Sequence, residues 1–373
     1  MRFDSMVNVL GVLAVCSMLL MTAWLVTSGN ILSTTIFRSR NGAAQEIELV
    51  EASMGPVARP LPLEAFEVKD TFEHRLVVFG DSWSVSQFRH KGQGIAWPEQ
   101  LCIELSCQVD NFAEVEVPSA GIFSGCVVNN TELRQFQPVE ERLRPPLHDL
   151  GDQTERWFAG EERIIQNISR NDLELRLNRT TFALSFVLWD LWKFIGKNLS
   201  TVDESIRRSI DTIFERLDVL SDRLGSNDLR IILMMSIDPT FLPAFRPWLR
   251  EQKAIVPLVE DWNQKLVRKA EAWNRGTLFI FDTNRFFLNQ IRQWQYSVMG
   301  LTDPRELAMN DSPGWENVES PCLPSTRQLV GSIHESCDNP DQYLFWDDMH
   351  IGPSAHRKLG SEIYHGIRDL WLI

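Results

Sequence analysis

No block of lysine or arginine stands out in this 373-residue chain, and acidic residues outnumber basic ones by 50 to 37. The net charge of −13 leaves no basic surface to neutralise phosphates, which excludes a nucleic-acid partner. The acidity is otherwise a solubility feature and identifies no substrate. There is no His-Glu-x-x-His and no Cys/His ladder, so no metal centre is indicated. A P-loop and a dinucleotide glycine fingerprint are both missing, which removes nucleotide and nicotinamide chemistry from consideration. No internal repeat and no second domain is visible. The apolar fraction of 44% and charged fraction of 23% are those of an ordinary globular protein, and the length suits one large α/β domain.

Uncharged apolar runs long enough for a bilayer are equally scarce, and residues 7–26 form one. A cleaved signal has a shorter apolar core and a small-residue cleavage site, and Thr27-Ser28-Gly29 is only a fair one. The expectation is an uncleaved signal-anchor over residues 1–27, with secretion after cleavage as the alternative. Residues 28–70, with scattered Pro56, Pro60 and Pro62 and little periodicity, read as a stem. Residues 71–373 remain for the folded domain. Asn-x-Ser/Thr sequons begin at Asn129, Asn167, Asn178, Asn198 and Asn310, and together they fit a chain that meets the glycosylation machinery. The six cysteines agree. Cys16 lies in the apolar run. Cys102 with Cys107, and Cys322 with Cys337, are close enough to close small loops in an oxidising compartment, and Cys126 is left over. A zinc site is the rival reading of these cysteines, but their spacings suit no usual zinc motif. The domain is therefore expected in the secretory lumen or outside the cell, held to the membrane by the N-terminal helix.

Within residues 71–373, short apolar runs alternate with helix-period segments. Strands are expected at 76–79, 109–113, 181–188, 231–237 and 278–281, and helices at 97–105, 149–168, 202–224, 256–273, 286–296 and 353–370. Residues 310–341, rich in Pro, Ser, Gly and Asn, read as a long irregular loop. Strands alternating with helices predict an α/β fold with a mostly parallel sheet of about five strands, covered on both faces.

Two segments carry chemistry. The first is Leu76-Val77-Val78-Phe79 running into Gly80-Asp81-Ser82, which presents a serine at the carboxyl edge of a sheet, where α/β proteins bind ligands. The second is Asp347-Asp348-Met349-His350, just ahead of the last helix. A serine hydroxyl is a poor nucleophile at neutral pH. It needs a base within hydrogen-bond reach, and the base needs a carboxylate to fix its tautomer. Ser82, His350 and Asp347 supply all three, and such triads are recognised by geometry whatever their order in the chain. Asp348 is a rival carboxylate. The other six histidines lack a carboxylate in a comparable setting, and His356 and His365, on the last helix, read as packing or surface residues.

Taken together, VVFGDSWS (77–84) and FWDDMHIGPSAHRKLG (345–360) resemble the first and last blocks of the GDSL/SGNH hydrolase family. The tryptophan after the serine and the Asn111-Phe112-Ala113 segment are most similar to fungal GDSL esterases of the lipase/acylhydrolase type. The resemblance implies a three-layer α/β/α, flavodoxin-like sandwich, with Ser82 as nucleophile, His350 as base and Asp347 as its orienter. It also implies two oxyanion donors besides the N–H of Ser82. One is a glycine after the second strand, Gly121 or Gly125, with Gly125 preferred. The other is an asparagine in a Gly-x-Asn-Asp block after the third strand. That block falls on 186–190, where Val187 replaces the glycine, Trp189 replaces the asparagine, and Asp190 matches. Trp189 lacks the amide but carries an indole N–H. With Trp192 it reads equally as core packing or as the wall of an apolar cleft. Three functions follow as expectations. One is a serine esterase acting on small acyl esters, such as acetyl groups on carbohydrate. The others are a carbohydrate O-acyltransferase using the same triad, and a catalytically impaired binding protein. None calls for a cofactor.

Overall fold

The computed structural model describes residues 72–85, 91–115, 125–137, 142, 146–245, 249–300, 314–323 and 337–371. The apolar run at 7–26, the stem, Cys16, Gly121 and Asn310 lie outside these residues. No helix among the described residues is long and apolar enough to cross a membrane.

Five strands form one parallel sheet: β1 Arg75–Gly80, β2 Gln108–Asn111, β3 Thr180–Ser185, β4 Leu229–Met234 and β5 Gly276–Phe281. β1 and β3 are buried at every residue. Strands covered on both faces read as continuous apolar runs, which is why the sequence shows them without alternation. β5, at one edge, is only half-buried over most of its length. The helices are α1 Trp97–Leu105, α2 Leu150–Ile165, α3 Arg170–Asn178, α4 Trp189–Phe194, α5 Leu199–Leu224, α6 Leu249–Ala272, α7 Thr283–Val298 and α8 Pro353–Trp371. α1 packs on α8, whose Gly366 lies against the Phe279 ring of β5, and α2, α5 and α6 pack in succession. α5 buries Val202, Ile206, Ile210, Ile213, Leu217, Leu220 and Leu224, the spacing of one helical face. The result is the three-layer α/β/α sandwich.

Some boundaries differ from expectation, each for a local reason. β3 stops at Ser185 instead of running to Leu188, because the N–H groups of Val187 and Leu188 turn to the Asp81 carboxylate. α6 begins before Val256 and carries Pro257 inside, where a proline usually argues for an end or a kink. α3 was not expected at all: its sequence, RNDLELRLN, buries only Arg176 and Leu177. Ser169 caps it by accepting from the Asp172 N–H at 3.2 Å.

Both expected disulfides are present, Cys102–Cys107 and Cys322–Cys337, and Cys126 is a buried free thiol. Of the sequons, Asn167, Asn178 and Asn198 are exposed. Asn129 is half-buried: its Oδ1 caps the short turn Asn130–Leu133 and its Nδ2 donates to Thr212 Oγ1 at 3.1 Å.

The strand order β2-β1-β3-β4-β5 reverses direction between β1 and β3. In doubly wound sheets this reversal opens a crevice at the carboxyl edge, and that is where the chain leaving β1 places Ser82. The opposite end of β1 carries a buried ionic cluster. Arg75 donates to Glu161 at 2.8 and 2.9 Å, Arg176 donates to the same carboxylate at 2.6 and 3.0 Å, and Asp110 lies 3.6 Å from Arg75. Burial alone would raise the Glu161 pKa, but the two guanidinium groups outweigh it and hold the carboxyl below its usual range. Glu161→Gln is expected to destabilise the fold by about 3–5 kcal/mol, because it removes the buried carboxylate that Arg75 and Arg176 share. Urea unfolding of the variant measures this, and a midpoint within error of the parent would contradict it.

Candidate active site

Ser82 sits in the turn that follows β1 and is 4% exposed. Its Oγ lies 3.0 Å from His350 Nε2. His350 Nδ1 lies 2.9 and 3.0 Å from the two oxygens of Asp347. A proton on Nδ1, facing the carboxylate, leaves Nε2 as the acceptor for the serine O–H. The three residues expected from sequence are therefore brought into one hydrogen-bonded chain across a separation of 268 positions. Asp348 is not in the chain; its backbone carbonyl accepts from the Ala244 N–H.

His350 is held in a tight loop. Asp347 Oδ1 also accepts from the N–H groups of Met349 and His350, at 2.8 and 2.7 Å. Phe345 and Ile351 pair as an antiparallel bridge across the loop's neck. Beyond them Gly352 passes so close to the chain that a Cβ there would lie 2.3 Å from the Tyr343 carbonyl oxygen. The disulfide loop lies against the same segment, with Cys322 N–H on Phe345 O and Leu323 N–H on Trp346 O. For Asp347, burial favours the neutral acid, but the His350 ring and the two backbone N–H groups outweigh it and the pKa is lowered.

The turn that carries Ser82 is held by several hydrogen bonds. Asp81 Oδ1 accepts from Trp83 N–H, and Oδ2 accepts from the N–H groups of Val187 and Leu188. Gln153 on α2, fully buried, receives the Gly80 N–H at 2.8 Å and donates to the Gly80 carbonyl at 3.0 Å. Asn111 at the end of β2 donates to the Ser84 carbonyl, and the Trp97 indole donates to Ser84 Oγ. The Trp83 indole reaches across to the Met349 carbonyl at 3.0 Å, tying the Ser82 turn to the His350 loop. Sequence reading named none of Asp81, Gln153, Trp83 or Trp97 as site residues. A signal existed for Gln153, a polar residue on the inward face of an amphipathic helix beside Trp157.

The third-block residues split in role. Trp189 is buried, and its indole Nε1 donates to Ser82 Oγ at 3.1 Å. Gly125 is its neighbour, whereas Gly121 lies outside the described residues. Trp192 is half-buried and meets Trp189 and Phe245 edge-on. Asp190 accepts the Val128 N–H on both oxygens, at 3.2 and 3.1 Å. Burial pushes the Asp190 carboxyl up to about 8, with the neighbouring Asp81 charge adding to it and the Val128 bond opposing it. Because the folded value lies above the unfolded one, the folded state holds this proton more tightly. Stability is then full below about pH 4 and is lost as pH rises through about 8, with a slope of at most about 1.4 kcal/mol per unit. Asp190→Asn keeps an acceptor for Val128 and is expected to flatten that slope. Unfolding free energies between pH 5 and 9 check it, and parallel curves for the two proteins would refute it.

His148 has a carboxylate partner of another kind, in a half-exposed pair with Nδ1 2.7 Å from Glu114 Oε1, and Arg156 shares that carboxylate. The pair joins residues 34 apart in sequence, a meeting that no local pattern announces. Among the described residues no group of three His, Cys, Asp or Glu side chains is arranged to hold a metal ion. No protein-family model matches the chain, and no curated protein matches it.

Proposed function

We propose that the chain is a serine ester hydrolase of the GDSL/SGNH type, acting on small acyl esters through an acyl-enzyme on Ser82. The observation that carries this reading is the continuous hydrogen-bonded path from Ser82 Oγ through the His350 ring to Asp347. Ser82 attacks the ester carbonyl, and its proton passes to His350 Nε2. The same proton is returned to the departing alkoxide as the C–O bond breaks. Water then attacks the acyl-enzyme by the reverse sequence. Asp347 keeps the ring in the productive tautomer and stabilises the imidazolium. The nucleophile's 4% exposure supports small esters over bulky ones. Two disulfides support an oxidising compartment, and with the apolar run at 7–26 they support a luminal or extracellular domain on a single membrane anchor.

The test is hydrolysis of p-nitrophenyl acetate and longer acyl esters by the full-length protein in detergent, beside Ser82→Ala. Turnover that the substitution removes supports the proposal, and equal rates from both proteins overturn it. Repeating the assay with a sugar as acceptor separates the hydrolase from an acyltransferase, since transfer would yield an acylated sugar at the expense of free acid.

A further inference from the structure

The indole of Trp189 is not where a packing tryptophan needs to be. Its Nε1 is 3.1 Å from the oxygen of the nucleophile, in a site from which solvent is almost excluded. Four features hold it there. Asp81 grips the two N–H groups just before it, at Val187 and Leu188. Asp190, the next residue, grips Val128 and so draws the 125–128 segment against the ring. Gly125 makes the contact possible, because a Cβ at that position would lie 2.0 Å from Nε1. Trp192 closes the other side, its ring centroid 6.4 Å away and edge-on, and is itself backed by Phe245.

An indole N–H donates and cannot accept, so it cannot compete with His350 for the serine proton. It occupies an Oγ lone pair while the O–H points at Nε2. The demand for that donor shifts during the reaction. When Oγ bonds to the carbonyl carbon, its proton goes to His350 Nε2 and the C=O π pair moves onto the former carbonyl oxygen. Oγ becomes a weakly basic ester-type oxygen, and full negative charge appears on the oxygen attached to the same carbon. A fixed, buried donor beside Oγ is within a small displacement of that charge, and preorganised donors of this kind act most strongly where water is excluded.

We propose that Trp189 is a catalytic residue, the side-chain donor of the oxyanion site, its indole N–H passing from Ser82 Oγ to the substrate oxyanion as the tetrahedral adduct forms. This rests on the ester hydrolase reading. It changes the meaning of the altered third block: an indole takes the amide's part, and the chain is not an impaired hydrolase.

The experiment is Trp189→Phe in the full-length protein, assayed on p-nitrophenyl acetate beside Ser82→Ala. Removing one oxyanion donor is expected to lower kcat by on the order of 10²–10³-fold with KM little changed. Affinity for a small alkyl boronic acid, whose serine adduct carries the same tetrahedral charge, should fall in parallel. A Trp189→Phe kcat within threefold of the parent, while Ser82→Ala is inactive, overturns the proposal and leaves the hydrolase standing. Activity surviving in Ser82→Ala overturns the hydrolase reading instead. Should Trp189→Phe fail to fold, β-(3-benzothienyl)alanine at 189 keeps the ring's shape and replaces N–H by sulfur, and the same loss of kcat is expected.

Discussion

Ser82→Ala is expected to lower kcat by on the order of 10⁶-fold and to leave the fold intact. Removing the nucleophile of a hydroxyl-based triad removes nearly all of its chemistry, because the base and its orienter have nothing left to activate. What remains is binding and any oxyanion stabilisation of attack by water. The structural disturbance is small. Oγ is a single atom in a turn whose geometry is set by Asp81, Gln153 and Asn111, not by the hydroxyl itself. Trp189 and His350 each lose one partner, a change of about 1 kcal/mol apiece. Thermal unfolding and turnover measured on the same preparation separate the two effects. A midpoint shifted by only a few degrees with no turnover is the expected pair of results.

Asp347→Asn is expected to cost on the order of 10⁴-fold in kcat, through the tautomer of His350. Asparagine is nearly isosteric, and its Oδ1 can still accept the N–H groups of Met349 and His350, so the loop keeps its shape. Its Nδ2 is a donor, however. Facing the ring, it favours a proton on Nε2, which turns the base toward Ser82 with a donor instead of an acceptor. The parent carboxylate avoids this at all working pH values, because the His350 ring and the backbone bonds keep it ionised below the ordinary carboxylate range. The sign follows from the lowered value: Asp347 contributes its stabilisation above the unfolded pKa and loses it only as pH falls through the folded one. A decline in rate between pH 7 and 5 therefore does not come from this carboxylate. The pH–rate profiles of parent and Asp347→Asn check the argument. A variant retaining a tenth of the parent kcat would count against the orienting role.

Much of the fold was legible because it follows from burial alone. A strand covered on both faces must be apolar along its whole length, so Val77 to Phe79 and Phe182 to Leu184 announce themselves. Helices that bury one face do the same with period 3.6, as Ile206, Ile210, Ile213 and Leu217 show. The triad was legible for a chemical reason: Gly-Asp-Ser after a buried strand and Asp-x-x-His before the last helix have few uses in common. What escaped is what depends on partners far along the chain. Nothing near Arg75 says that it meets Glu161, 86 residues on, and nothing near Glu114 says that it meets His148. Asp81 passed as one of three turn residues, although its carboxylate decides where β3 ends. The sequence leaves Trp189 open between core packing, a cleft wall and an oxyanion-side indole donor, since only the fold brings its indole to Ser82 Oγ.

The bond from the Trp83 indole to the Met349 carbonyl links two segments 266 residues apart. In folding terms this is a contact of very long range, and loop-closure entropy delays such contacts relative to local helices. A chain that has collapsed around its sheet but has not yet docked the 344–371 segment holds the serine turn without its base. Its hydroxyl then lacks the His350 acceptor, and under the proposed mechanism an incompletely folded chain is not acylated by substrate. On the proposed hydrolase function, turnover requires that 344–371 has docked, so the rate at which it appears during refolding measures the formation of that contact.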